Sequence, residues 1–241
     1  MSLIAILLFT ALTALAIFLF FGIRLALKVR TLRRALDPKN PDPVAREKVF
    51  RDVAKRAGER VPNEIHMIPS TMIMWRDQDK WCEAYNALES RGFRHAGNYR
   101  VQEINVDVQF LIHDAECAMA CIYNHPSAGV FMDIVTRYDD GSSVTFANRA
   151  ASGLDQHPQL QNRFLGDIHP SELIEHALAD RPVKPMREIH DADLVPDFCR
   201  VWKEYKEWRN KRGTSAEEVE RIYERLHESQ EKAKETSAGS D

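Results

Sequence analysis

No charged side chain precedes Arg24, and the run from Leu3 to Ile23 is 21 residues long, broken only by Thr10, Thr13 and Gly22. A segment of this kind has no polar face, so it cannot lie as an amphipathic helix on the surface of a globular domain. As a helix rising ~1.5 Å per residue it is ~31 Å long, about the thickness of a bilayer's hydrocarbon core. A secretory signal would start with positive charge and end at a small-residue cleavage site. Here no Lys or Arg comes first, and cleavage after Ala14-Leu15-Ala16 would leave Ile17 to Phe21 as an apolar new terminus. A core helix without a polar side is rare in a chain this size. Residues 1–23 are therefore read as a transmembrane anchor, in contact with the lipid bilayer through residues 3–23.

Arg24, Lys28, Arg30, Arg33 and Arg34 follow the span, with no acid before Asp37. Basic residues beside a span are retained on the cytoplasmic side, which predicts a single-pass protein with its N-terminus outside and its C-terminal domain cytoplasmic. The same five residues are candidate contacts for anionic lipid headgroups. Residues 24–60 hold 12 Lys/Arg against 5 Asp/Glu, whereas residues 61–241 hold 21 against 31. An acidic distal domain argues against nucleic acid, whose binders present a basic face. The four cysteines, at 82, 117, 121 and 199, need form no disulfide framework in a chain of this length.

Past the anchor, residues 24–43 form a basic juxtamembrane segment ending in a hinge, where Pro38, Pro41 and Pro43 exclude regular helix. Asp42 and Pro43 then suit the start of a helix with Phe50, Val53, Ala54 and Ala57 on one side. Pro62 to Met74 reads as a connector, and Asp79 to Arg91 as a helix burying Trp81, Ala84, Tyr85 and Leu88, stopped by Gly92. From Phe93 the period becomes that of strands. Phe93–Ile104, Val106–His113, Cys117–Asn124, Val130–Tyr138 and Ser143–Asn148 are expected to form an antiparallel meander of about four or five strands. Its short turns include Asp139-Asp140-Gly141-Ser142, and helices are expected to cover one face. The expected fold is thus α+β: an anchor, an α+β domain over 44–182, a C-terminal helical arm over 183–229 and a disordered tail over 230–241. In the arm, Ser215 with Glu218 is a capping-box pattern for a last helix.

His113, Cys117, Cys121 and His125 recur every fourth residue. On a straight helix the outer pair would lie ~18 Å apart, and on a strand the cysteines ~13 Å apart, so neither geometry closes a zinc tetrahedron. No metal and no cofactor is expected, since the phosphate-cradling, dinucleotide and nucleophile-elbow patterns are absent from the sequence. The polar stretch 149–169 is long for a loop in a compact domain. It carries Arg149, Asp155 and His157, the candidate ligand-binding residues. Leu154, Leu160, Phe164 and Leu165 offer an architectural explanation of the same stretch. The helix at 197–210 presents Trp202, Tyr205 and Trp208, either as core packing or as a surface for a protein partner.

The reading these residues support is a membrane-anchored, cytosolic binding or assembly module without a catalytic motif. The alternative is a membrane-tethered enzyme of hydrolase type, using the 148–169 loop with His157 as base.

Overall fold

The computed structural model describes residues 30, 42, 44, 47–49, 52, 62–151, 153–215 and 217–225. The expected anchor, most of its basic collar, most of the helix after Pro43 and the C-terminal tail lie outside the described residues. No helix among the described residues is long and apolar enough to cross a membrane.

Among the described residues seven strands form one mixed sheet in chain order: β1 (Met67–Pro69), β2 (Arg94–Val101), β3 (Val106–His113), β4 (Ala118–His125), β5 (Gly129–Arg137), β6 (Ser143–Ala147) and β7 (Leu160–Phe164). The five strands expected from Phe93 onward are present, each pair antiparallel and joined by a short turn. At the β5–β6 turn, Asp140 accepts from the Ser142 N–H at 2.9 Å and Gly141 sits at φ +81°. The left-handed backbone there is why a glycine stands at this position.

Two strands extend the expected meander. Met67-Ile68-Pro69 pairs antiparallel with β2, and β7 pairs parallel with β6, Ser143 opposite Leu160 through Ala147 opposite Phe164. The parallel pairing explains the long polar stretch. A strand returning parallel to its neighbour needs a crossover of about a dozen residues, and residues 148–159 are that crossover.

Alternation along each strand creates two apolar faces. On the first, Leu111, Ile122, Met132, Ile134 and Phe146 meet Leu88 of α1 (Gln78–Ser90) and Leu173 and Ile174 of α2 (Pro170–Ala179). Asp77 caps α1, its carboxylate accepting from the Lys80 N–H at 3.0 Å. His169 caps α2, its Nδ1 accepting from the Ser171 N–H, and Pro170 occupies the first position, where its missing N–H costs nothing. On the second face, Val108, Phe110, Ile112, Met119 and Cys121 meet Leu194, Phe198 and Trp202 of α3 (Leu194–Arg212). The Phe110 and Phe198 rings cross edge to face at 5.7 Å. Helices therefore cover both faces, not one. Each fully buried Leu, Ile or Phe in these layers contributes roughly 1.5–3 kcal/mol, so both are needed to hold the sheet.

The aromatic side of α3 is spent inside the domain. Trp202 Nε1 donates to the Pro62 carbonyl at 3.1 Å, and the Trp208 ring lies 5.3 Å from the imidazole of His157. Gly213 ends the helix at φ +75°. The expected capping box then forms reciprocally: the Glu218 N–H donates to Ser215 Oγ at 3.2 Å and the Ser215 N–H to Glu218 Oε2 at 2.8 Å.

Candidate functional site

The crossover is bolted to the C-terminal segment through one buried carboxylate. Glu218, with no solvent exposure, accepts from the Asp155 N–H at 2.7 Å, Arg209 Nη1 at 2.5 Å and Arg212 Nη1 at 3.0 Å, besides the Ser215 N–H. Burial works to raise its carboxyl, but the Ser215 and Asp155 N–H groups and the Arg209 guanidinium hold it down at about 2. Asp155 is ion-paired with both Arg212 and Arg221, and Arg221 Nε also donates to the Gly153 carbonyl at 3.2 Å. Gly153 is fixed by close approach, at φ +84°, where a Cβ would stand 3.0 Å from Ile222 Cγ1. The glycine in this stretch serves contact with the helical segment 217–225.

Of the three candidate ligand-binding residues, only Asp155 borders a cleft. That cleft, of about 260 Å³, opens between the crossover and the 217–225 segment and is lined by Ala151, Gly153, Asp155, Gln156, Phe164 and Arg221 among others. Arg149 stacks between two rings, its guanidinium carbon 5.1 Å from both Phe131 and Phe164. Phe164 thus has Arg149 against it and also lines the cleft. His157 faces Trp208, and its Nδ1 accepts from the Gln159 N–H at 3.2 Å. Gln156 turns away from chemistry as well. Its side-chain amide donates to the Asn162 carbonyl at 2.7 Å and accepts from the Asn162 N–H at 2.6 Å. It behaves as an extra rung on the outer edge of β7.

A hydrolase would need a base facing a nucleophile. His157 makes no such hydrogen bond among the described residues. His125 does lie 3.2 Å from Ser127 Oγ through Nδ1, but that nitrogen also accepts the backbone N–H groups of Ser127 and Ala128. Its lone pair is committed to closing the β4–β5 turn. Burial, with Arg149 and Arg76 nearby, lowers the pKa of His125. Cys121 is buried beside Asp133, which drives its thiol well above the ordinary range and away from the nucleophilic thiolate. His113 and His125 lie at the far ends of β3 and β4 from one another's turn, and no group of three metal-ligating side chains occurs among the described residues.

Asp133 lies on the face of β5 opposite Met132 and Ile134, and nothing in its sequence surroundings marks it as a site. It is buried, its Oδ1 has no hydrogen-bond partner among the described residues, and burial pushes its pKa up to about 6 against the pull of Arg149. Arg137, two places further along the same face, is equally unmarked in the sequence, and its Nε is likewise buried without a hydrogen-bond partner among the described residues. The usable signal is two charges, Asp133 and Arg137, on one face of the largely apolar strand Val130–Tyr138. It becomes diagnostic only once both faces are known to be covered.

The arrangement defines an α+β domain, a mixed sheet between helical layers, with a small polar cleft at its C-terminal edge. No protein-family model, curated protein or solved structure matches this chain.

Proposed function

We propose that this chain is a non-enzymatic binding or assembly module held at a membrane by residues 3–23, with the basic collar Arg24, Lys28, Arg30, Arg33 and Arg34 against anionic headgroups. The domain stands on the cytoplasmic side, and its receiving surface is the cleft between the crossover and the 217–225 segment. The observation that carries this reading is the cleft itself. At about 260 Å³ it falls below the roughly 300–1,000 Å³ of small-molecule sites. It is large enough for one or two side chains of a protein partner. Its lining combines an aromatic ring, Phe164, with Arg221 and Asp155, a pairing suited to a protein contact, where aromatic residues and Arg carry most of the energy. Because Trp202 and Trp208 are engaged within the domain, partner contact is assigned to the cleft in place of the aromatic side of α3.

Filling the cleft tests this. Ala151→Trp in the full-length protein is expected to abolish recovery of partners co-purified from detergent-solubilised membranes while leaving the unfolding midpoint unchanged. Recovery of the same partners in the same yield would remove the cleft from the function. Orientation is tested separately by protease added to sealed vesicles. The domain is degraded only in inside-out preparations if it is cytoplasmic, and degradation in right-side-out vesicles would reverse the topology.

A further inference from the structure

The second face of the sheet carries another polar group of side chains, at the end of β5 and sharing no residue with the cleft. Arg137 ends β5, and its carbonyl accepts from the Arg187 N–H at 2.9 Å, which brings the 185–187 segment alongside. The third element is the first turn of α3, which presents Asp197 and, one turn on, Arg200. Three guanidinium groups converge on the Asp197 carboxylate. Arg187 is ion-paired with it, Arg200 Nε donates to Oδ1 at 3.4 Å, and Arg137 Nε stops 3.6 Å from Oδ2. Arg200 also reaches Glu204 at 3.2 Å. Three positive charges therefore face two negative ones.

The surplus falls on the worst-placed member. The Arg137 side chain is 8% exposed, whereas those of Arg187 and Arg200 are 41% and 51% exposed. Burial, with Arg200 and Arg187 beside it, pushes the pKa of Arg137 down to about 10. Removing a cation from water costs several kcal/mol, which is repaid only by close, hydrogen-bonded counter-charge. At 3.6 Å with an orphaned Nε, Asp197 does not supply it. An unsatisfied buried donor of this kind calls for an explanation such as a bound ion.

We infer that Arg137, Arg187 and Arg200 form a binding site for a phosphate group, with Arg137 as its floor and the other two as its rim. Asp197 shows that Arg187 and Arg200 can close around an oxyanion within reach of Arg137, and it stays as the internal counter-charge while the phosphate supplies the partner that Arg137 Nε lacks. Tetrahedral phosphate suits donors arriving from three different elements better than a planar carboxylate does, and Arg is the residue that matches its oxygens with paired N–H groups. The phosphate belongs either to free phosphate or to a phosphomonoester lipid headgroup.

The test is thermal unfolding of the full chain in detergent micelles at constant ionic strength, titrated with inorganic phosphate and, separately, with short-chain phosphatidate. Wild type is expected to show a saturable rise in Tm with phosphate. The Arg187→Gln/Arg200→Gln pair, both half-exposed, is expected to need at least tenfold more ligand, and Arg91→Gln to behave as wild type. Phosphatidate acting at lower concentration than phosphate identifies a lipid headgroup as the source, and equal or weaker action identifies free phosphate. Arg137→Met gives a readout independent of the rim. It should be at least as stable as wild type without phosphate and should lose the phosphate response. Absence of any saturable shift with either ligand, an identical shift in the Arg187→Gln/Arg200→Gln pair, or a phosphate-free Tm loss in Arg137→Met would each overturn the site.

Discussion

Replacing Glu218 by Ala should release the crossover and the C-terminal segment together while leaving the sheet intact. Two routes give the magnitude. Removing one partner of a buried ion pair costs about 3–5 kcal/mol, because the remaining charge is left without compensation. Here Arg209, 9% exposed, is that charge. Independently, the Glu218 carboxyl lies at about 2 in the folded protein, against ~4.3 for an unfolded chain, which corresponds to roughly 3 kcal/mol. A depressed carboxyl contributes stability that is fully present above pH ~4.3 and is lost as pH falls through ~2, so about half should remain at pH ~3. The assay is amide hydrogen exchange on the full chain, wild type against Glu218→Ala. At pH 7 exchange at 153–157 and 217–225 should accelerate about 150-fold, the equivalent of ~3 kcal/mol. Amides of β3, β4 and β5 should keep their wild-type rates. A change below about fivefold at Asp155 and Val219, or equal acceleration in the central strands, would refute the claim that this carboxylate is the local bolt.

Asp133→Asn should stabilise the protein at pH 8 by up to about 2–3 kcal/mol and have little effect at pH 4. The folded pKa of about 6 lies above the unfolded ~3.9, so stability is full below ~3.9 and declines as pH rises through ~6. Urea unfolding of both proteins at the two pH values checks this, and a loss at pH 8 would show that the carboxylate is needed in its charged form. Gln156→Ala removes both side-chain hydrogen bonds to Asn162. The Asn162 amide should exchange about tenfold faster or more, and unchanged exchange would mean that the edge of β7 is protected otherwise. Gly153→Ala should cost about 1–3 kcal/mol, since a Cβ at φ +84° also meets Ile222 at 3.0 Å. A denaturation midpoint equal to wild type would show that the contact yields freely.

The meander could be read from the sequence because the strands from Val106 onward are rich in apolar and β-branched residues, and because Gly and Asp mark the turns. The capping box at Ser215 and Glu218 was visible for the same reason: its two hydrogen bonds are local. The strand β7 was hidden. Leu160-Gln161-Asn162-Arg163-Phe164 has a polar composition, and its partner lies across a crossover with no pattern of its own. The short β1 gains its identity only from pairing with β2. The role of Asp155 was equally out of reach, because its partners Arg212 and Arg221 stand 57 and 66 positions away. A charged residue in a polar loop looks the same whether it waits for a ligand or closes an ion pair. Arg137 and Asp133 became notable only when α3 proved to cover the second face, since burial is what turns an ordinary charge into an unsatisfied one.

The central claim, a membrane-held module that receives a protein in the cleft beside Ala151, is tested most directly by photo-crosslinking in intact membranes. A photoreactive residue placed at 151 should yield a discrete crosslinked product, and the same residue at the fully exposed Val183 should not. The product should disappear when Phe164→Ala removes the apolar wall of the cleft. Crosslinks that are the same from both positions, or none from position 151, would contradict the account.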